Sequence, residues 1–173
     1  MPNISGEAPE SRTPRIAGWL CPQELILDLD VPDKGRALEA AAAMIGRLHN
    51  LDPAPVFRAL WRREQAGSTA LGHGIALPHA RIAGIERPLT LFIRPSHPLP
   101  FDANDGKPVT SILVIMVPMD GAADDHLALL ALVADTFSDA EFRRRLAAAT
   151  SEEQARGAFA EWAGRAAQRP DRS

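Results

Sequence analysis

Six consecutive apolar residues, Ile112 to Val117, follow Thr110 and Ser111 and precede Pro118. A β-strand sends alternate side chains to opposite faces, so a strand made of this run is apolar on both. It must sit centrally in a sheet that is covered on both sides. An open sheet with one wet face is excluded, and helices are needed for two layers. The rest of the chain supplies them. Glu24 to Asp30 reads as a short strand. Asp33 then caps a helix running to about His49, with Leu38, Ala41, Ile45 and Leu48 at helical spacing. Asp52-Pro53 starts a second helix carrying Val56, Phe57, Leu60 and Trp61 on one face, and Gly67 stops it. Ile75 to Leu77 is a short strand ending at Pro78-His79, and Leu89 to Arg94 is another. Pro95 to Pro108 is a loop. Leu127 to Phe137 is apolar all round, the pattern of a buried helix. Ser138 with Glu141, and Thr150 with Glu153, predict capping boxes that open two further helices. The order is β-α-α-β-β-β-α-α-α. The fold class is α/β, a single domain with a central mixed β-sheet and helices on both faces.

With 173 residues, 46% of them hydrophobic and 24% charged, the chain can bury one sizeable core. Residues 1–16 and 165–173 are polar and broken by proline, so they read as mobile tails around a domain spanning 17–164. Nineteen basic against 22 acidic residues give a net charge of −3, which supplies no basic surface for nucleic acid. The longest apolar run, Leu127 to Ala134, is far shorter than the roughly 20 residues of a membrane span. Met1 to Pro14 lacks the apolar core of a secretory signal. One cysteine, Cys21, forms neither an internal disulfide nor a cysteine-based zinc site. The expectation is a cytoplasmic protein without membrane insertion.

Five histidines are present, His49, His73, His79, His97 and His126. His79 follows a glycine-rich turn and Pro78, which removes one backbone donor and restrains the peptide before the imidazole. The competing reading is a histidine that caps a strand and binds a backbone carbonyl. Gly67 to Gly74 is not a phosphate-binding P-loop, because His73 and Gly74 follow Gly72 where Lys and Ser or Thr are needed. It is not a dinucleotide fingerprint either, since Leu77 stands where glycine or alanine belongs. It remains a turn whose N–H groups and hydroxyls, Ser68 and Thr69, can hold an oxyanion, or a plain loop. Glu64 continues the inward stripe of Val56 and Leu60, and Arg63 beside it offers a planar fork of donors to a phosphate. Either that helix end is solvated, or both charges are aimed into a polar site. Asp124-Asp125-His126 opens a helix, where free N–H groups favour anions, unless His126 is a surface residue behind capping aspartates. A metal site from His73, His79, His126 and Asp124 or Asp125 is the rival arrangement, but no helical His-Glu-x-x-His pair supports it. No metal and no cofactor are expected.

The run Arg63-Glu-Gln-Ala-Gly-Ser-Thr-Ala-Leu-Gly-His-Gly-Ile-Ala-Leu-Pro-His-Ala-Arg81 resembles the active-site region of the fructose/mannitol-type enzyme IIA domains of the bacterial phosphotransferase system. Ile26 to Asp30 is similar to that family's opening strand, and Phe101 to Val109 to its loop before the central strand. Asp125-His-Leu-Ala-Leu-Leu and Phe137 to Phe142 resemble its C-terminal helices. The resemblance implies the fructose/mannitol-type enzyme IIA fold. It makes His79 the histidine that accepts a phosphoryl group from an HPr- or NPr-like phosphocarrier protein. It makes His126 the supporting histidine and Arg63 the arginine that positions phosphate. Ser68 and Thr69 correspond to the family's Gly-Ser-Thr turn, and Glu64 to the acid of its Arg-Glu pair. His73 departs from the family, which often has Asn there, and is given no role.

A chain of this length with no permease segment is most similar to the nitrogen-regulatory branch, in which the phosphorylation state of the histidine is a signal to a target protein. The alternative is a sugar-specific IIA that passes phosphate to a separate IIB subunit for fructose or mannitol. A non-phosphorylated regulatory binding module is the alternative from another class.

Overall fold

The Ile112 to Val117 run lies at the centre of the sheet, with every one of its side chains buried. The computed structural model describes residues 12–168. In chain order the elements are α1 (Arg12–Leu20), β1 (Glu24–Leu29), α2 (Lys34–His49), α3 (Pro53–Gln65), β2 (Ala70–Gly72) and β3 (Ile75–Ala76). They continue with β4 (His79–Ile82), β5 (Leu89–Pro95), β6 (Ser111–Pro118), α4 (Ala123–Ser138), α5 (Ala140–Ala148) and α6 (Glu152–Ala167). The sheet runs β1-β5-β6-β3-β2, with β5 antiparallel to β6 and β1 parallel to β5. Two short strands share the other side of β6. β3 pairs with Ser111 and Ile112, and β4 with Ile115 through Pro118, both parallel.

Alternation along β6 divides the core in two. Ile112, Val114 and Met116 meet Leu38, Ala41 and Ile45 of α2 and Val56 and Leu60 of α3. Leu113, Ile115 and Val117 meet Leu129 and Val133 of α4 with Phe142, Phe159 and Trp162 of α5 and α6. Phe92, Phe142 and Phe137 ring Phe159 or one another edge-on at centroid separations of 5.2–6.3 Å, a favoured aromatic geometry. The mixed α/β sheet with helices on both faces is therefore the observed architecture. Asp33 and Asp52 cap α2 and α3 through Arg36 N at 2.9 Å and Ala54 N at 3.0 Å.

Several local expectations are corrected. The tail expected over residues 1–16 already contains the start of α1, which buries Ile16, Ala17 and Leu20 against α4 and α6. One amphipathic turn behind Pro14 is too short for periodicity to reveal. The tail expected over 165–173 is likewise helical through Ala167, with Ala166 buried. The remainder of both, 1–11 and 169–173, lies outside the described residues. α4 is not buried all round: Leu129, Val133 and Phe137 face inward while Leu127 is 63% exposed. Because α4 extends through Ser138, the cap of α5 is Asp139, which accepts from Glu141 N and Phe142 N. Ser151, not Thr150, caps α6, and Gln154 returns a bond to Thr150 N at 2.8 Å.

Candidate functional site

The strand read as ending at Pro78-His79 is instead broken there, and His79 opens β4. Pro78 has no N–H to give the ladder, so β3 and β4 are separate pieces of one lane beside β6. Pro78 still accepts from Ile115 N at 2.9 Å, which keeps β4 in register. The carbonyl of Leu77 is turned toward His79, whose Nδ1 lies 2.8 Å from it. A carbonyl oxygen only accepts, so Nδ1 carries the proton and Nε2 carries the lone pair. Arg63, at the end of α3, agrees with that tautomer: its Nε donates to His79 Nε2 at 3.3 Å. Its Nη1 donates to Gly67 O at 2.9 Å, tying the guanidinium to the turn that follows α3.

His126, one turn into α4, places its ring 5.7 Å from that of His79 at an angle of 50°. Its Nδ1 is buried without a hydrogen-bond partner, the one such side-chain atom among the described residues. Burial lowers the pKa of His79, and the Arg63 cation adds to this against the opposing Leu77 hydrogen bond. Burial also lowers that of His126, with His79 and Arg81 contributing in the same direction. Both shifts favour the neutral imidazole. No side chain caps α4, whose N-cap is Ala122, and Asp125 pairs with Arg15 of α1 at 2.9 Å.

Glu64 is not solvated. At 3% exposure it lies inside, where its carboxylate accepts from the Thr69 hydroxyl, from Thr69 N at 3.2 Å and from Lys34 Nζ at 3.3 Å. Burial pulls the Lys34 ammonium down, but its bonds to Asp102 and Glu64 outweigh that and hold it above its ordinary value. Thr69 O in turn accepts from Leu77 N at 3.0 Å. A continuous chain of bonds thus links Lys34, Glu64, Thr69 and Leu77 to the His79 ring. Ser68 donates its hydroxyl to Phe101 O. In this structure both hydroxyls read as oxyanion donors are committed to protein acceptors. The structure brings Arg63, His79 and His126 together and places Glu64 and Thr69 in the clasp behind His79, with Ser68 tying the adjoining turn to Phe101 O.

His73 lies apart, in the two-residue turn between β2 and β3. Its φ is +56° and that of Gly74 is +77°, as a type I′ hairpin requires. Gly74 is obligatory there, because a Cβ would meet Thr110 Oγ1 at 2.8 Å. Asp105 accepts from His73 N and Lys107 N, and these bonds hold its carboxyl below the ordinary range. His97 lies 3.8 Å from Asp30, and His49 closes α2. Among the described residues no three His, Cys, Asp or Glu side chains are grouped to hold a metal ion. No described helix is long and apolar enough to cross a membrane.

Arg81 is the residue the sequence reading left without a role. Its signal was the period of two along a strand: His79 and Arg81 share one face of β4, while Ala80 and Ile82 pack with the α2/α3 core. Arg81 Nη1 donates to the carbonyls of Pro118, Met119 and Gly121 at 3.1–3.4 Å, bracing the turn that launches α4 and His126. Arg81 and His126 also line a cleft of about 230 Å³ with Arg15 and Trp19 of α1.

Residues 20–162 match the family described as phosphoenolpyruvate-dependent sugar phosphotransferase system, EIIA 2. A nitrogen regulatory protein of Pseudomonas aeruginosa is 36% identical over 140 residues, covering 80% of this chain and 90% of that protein. A fructose-specific EIIA component of the phosphotransferase system from Haloferax volcanii is 32% identical over 138 residues, covering 80% of each. The crystal structure of nitrogen regulatory protein IIA-Ntr from Neisseria meningitidis is similar with a TM-score of 0.74 at 40% identity, covering 78% of this chain and 92% of that one. With the match running through both histidines and nearly every element of the sheet, the chain belongs to the EIIA 2 family of the phosphotransferase system and resembles its nitrogen regulatory members.

Proposed function

We propose that this protein is a histidine phosphocarrier of the cytoplasm. His79 Nε2 attacks the phosphorus of a phosphorylated HPr- or NPr-like carrier; the new N–P bond forms as the bond from phosphorus to the carrier breaks. The observation that carries this reading is the tautomer: Nδ1 is pinned by Leu77 O, and the Nε2 lone pair faces a guanidinium. A neutral imidazole at that nitrogen is a ready nucleophile. Phosphoryl transfer asks the protein for positioning and charge stabilisation above all. Arg63 supplies positive charge where the transferred oxygens arrive, and the His126 ring, 5.7 Å from that of His79, supplies a second imidazole beside the site. Glu64 and Thr69 serve as positioning residues for the segment that carries the Leu77 carbonyl behind His79, and Ser68 ties the adjoining turn to Phe101 O.

The phosphorylated and free forms signal to a target protein, a role supported by likeness to proteins named nitrogen regulatory. The likeness to a fructose-specific EIIA component favours a second reading, in which phosphate passes to a cysteine of a separate IIB subunit. The test is incubation with phosphoenolpyruvate, enzyme I and the phosphocarrier, followed by intact mass. The expected result is an acid-labile gain of one phosphoryl group that is absent in His79→Ala. No gain from a demonstrably charged donor would overturn the reading and leave a binding module. Transfer onward to a IIB cysteine would decide for the sugar-specific alternative.

A further inference from the structure

Lys34 opens α2 directly after the Asp33 cap. The first turn of a helix carries partial positive charge, which disfavours a cation there. What holds Lys34 lies outside α2. Its Nζ donates to Glu64 Oε1 on α3 at 3.3 Å and to Asp102, in the loop before β6, at 2.9 Å. The two partners differ in kind. The Asp102 side chain is 82% exposed, so water can take the place of its bond, whereas the Glu64 side chain is 0% exposed and has no such substitute.

Glu64 needs a cation because of what else it holds. Oε1 accepts from Lys34 and, at 3.4 Å, from Thr69 N, while Oε2 accepts from Thr69 N at 3.2 Å and from the Thr69 hydroxyl. Only an ionised carboxylate offers both oxygens purely as acceptors. A buried carboxylate without a counter-charge takes up a proton, and one oxygen then becomes a donor facing the donors of Thr69. Thr69 is itself only 5% exposed, so water does not rescue those groups. From Thr69 the bonds run on to the nucleophile: Thr69 O accepts from Leu77 N at 3.0 Å, and Leu77 O holds His79 Nδ1 at 2.8 Å.

We propose that Lys34 is a positioning residue for the reaction at His79, compensating Glu64 so that Thr69 and Leu77 keep the arrangement that leaves Nε2 free. The inference rests on the phosphocarrier reading. Lys34 acts through Glu64 and not on the phosphoryl group, unlike Arg63, whose guanidinium faces the reacting nitrogen.

The test compares Lys34→Met with the parent chain, both shown by circular dichroism to be folded at the assay temperature. Labelling by a phosphorylated HPr-like carrier and by phosphoramidate is one readout; nitrogen-15 NMR of His79 in the unphosphorylated protein is the other. In Lys34→Met kcat is expected to fall about tenfold with both donors, with the KM for the carrier within about twofold. The His79 signals are expected to change from a single Nδ1–H tautomer to a mixture. Lys34→Met/Glu64→Gln is expected to return both readouts close to the parent, because a neutral amide needs no counter-charge and its carbonyl still accepts from Thr69. Asp102→Asn is expected to leave both unchanged. A folded Lys34→Met with the parent rate and tautomer would overturn the inference and leave Lys34 a stabilising partner only. A folded double variant that stays slow would overturn it too, since the ammonium would then act on the phosphoryl group directly; this comparison carries the test should Lys34→Met alone not fold. A loss in Asp102→Asn as large as in Lys34→Met would overturn the route through Glu64. Failure of the parent chain to label would overturn the phosphocarrier reading and the transfer role of Lys34 with it. The nitrogen-15 readout, which needs no phosphoryl group, tells that failure apart from failure of the clasp.

Discussion

The imidazole of His79 is fixed by a carbonyl only two residues behind it, Leu77 O, 2.8 Å from Nδ1. That bond leaves Nε2 as the free nitrogen. Nitrogen-15 NMR of the unmodified protein is therefore expected to show a protonated Nδ1 and a bare Nε2 on His79, and phosphorylation is expected at Nε2. A phosphoryl group on Nδ1 would contradict the assignment.

Arg63 faces the same nitrogen at 3.3 Å. Arg63→Met removes the cation where negative charge arrives, and the labelling rate is expected to fall on the order of 100-fold, the usual scale for one lost electrostatic donor. The His79 pKa should rise in the same variant, because Arg63 is one of the groups that depress it. Rapid-quench labelling and an NMR titration read the two effects separately.

Both site histidines titrate below the ordinary value of 6.5 in the folded protein, burial being the first cause for each. Between the folded values and 6.5 the unfolded chain binds more protons than the native one. Stability therefore rises with pH through that window, falls as pH drops through it, and gains no further slope from these two groups below it. Urea titrations stepped from neutral pH into the acid range should show a declining midpoint, and the double variant His79→Gln/His126→Gln should show less of that decline. The acid limb of labelling should lie below pH 6.5 for the same reason.

Removing Glu64 takes from Lys34 one of its two carboxylate partners and strands two donors of Thr69. Breaking such a buried ionic clasp from one side costs about 3 kcal/mol. Glu64→Ala is expected to lose that much in urea unfolding, and Glu64→Gln, which still accepts from Thr69, to recover part of it.

His73 occupies a left-handed turn position with φ of +56°, next to Gly74. Asn adopts that conformation more readily, and Asn-Gly is the preferred type I′ pair. His73→Asn is expected to stabilise the fold by about 0.5 kcal/mol and to leave labelling unchanged. A loss of labelling would give His73 a role that its position does not suggest.

What was legible in the sequence was local or periodic. Asp33 and Asp52 announce α2 and α3 because a cap binds an N–H two or three residues on. The run Ile112 to Val117 announces the central strand because both its faces are apolar. The proximity of Arg63, His79 and His126 followed from a long motif, not from periodicity. Other features needed the tertiary structure. Ser68 gives its hydroxyl to Phe101 O, a partner 33 residues away, which no local pattern reveals. Glu64 breaks an apolar stripe, and the sequence left open whether it meets solvent; Lys34, from another helix, decides it. Arg81 acts on carbonyls nearly 40 residues downstream. α1 shows one buried turn, too little to produce a period.

That helix has a practical consequence. Trp19 of α1 shares a cleft with His126, and Arg15 stacks on Trp19 at 5.3 Å while gripping Asp125 beside that histidine. The chain thus carries its own optical probe a few side chains from the imidazole proposed to react. If His79 takes the phosphoryl group as proposed, Trp19 emission in a Trp61→Phe/Trp162→Phe background is expected to report it, with no label attached to the site.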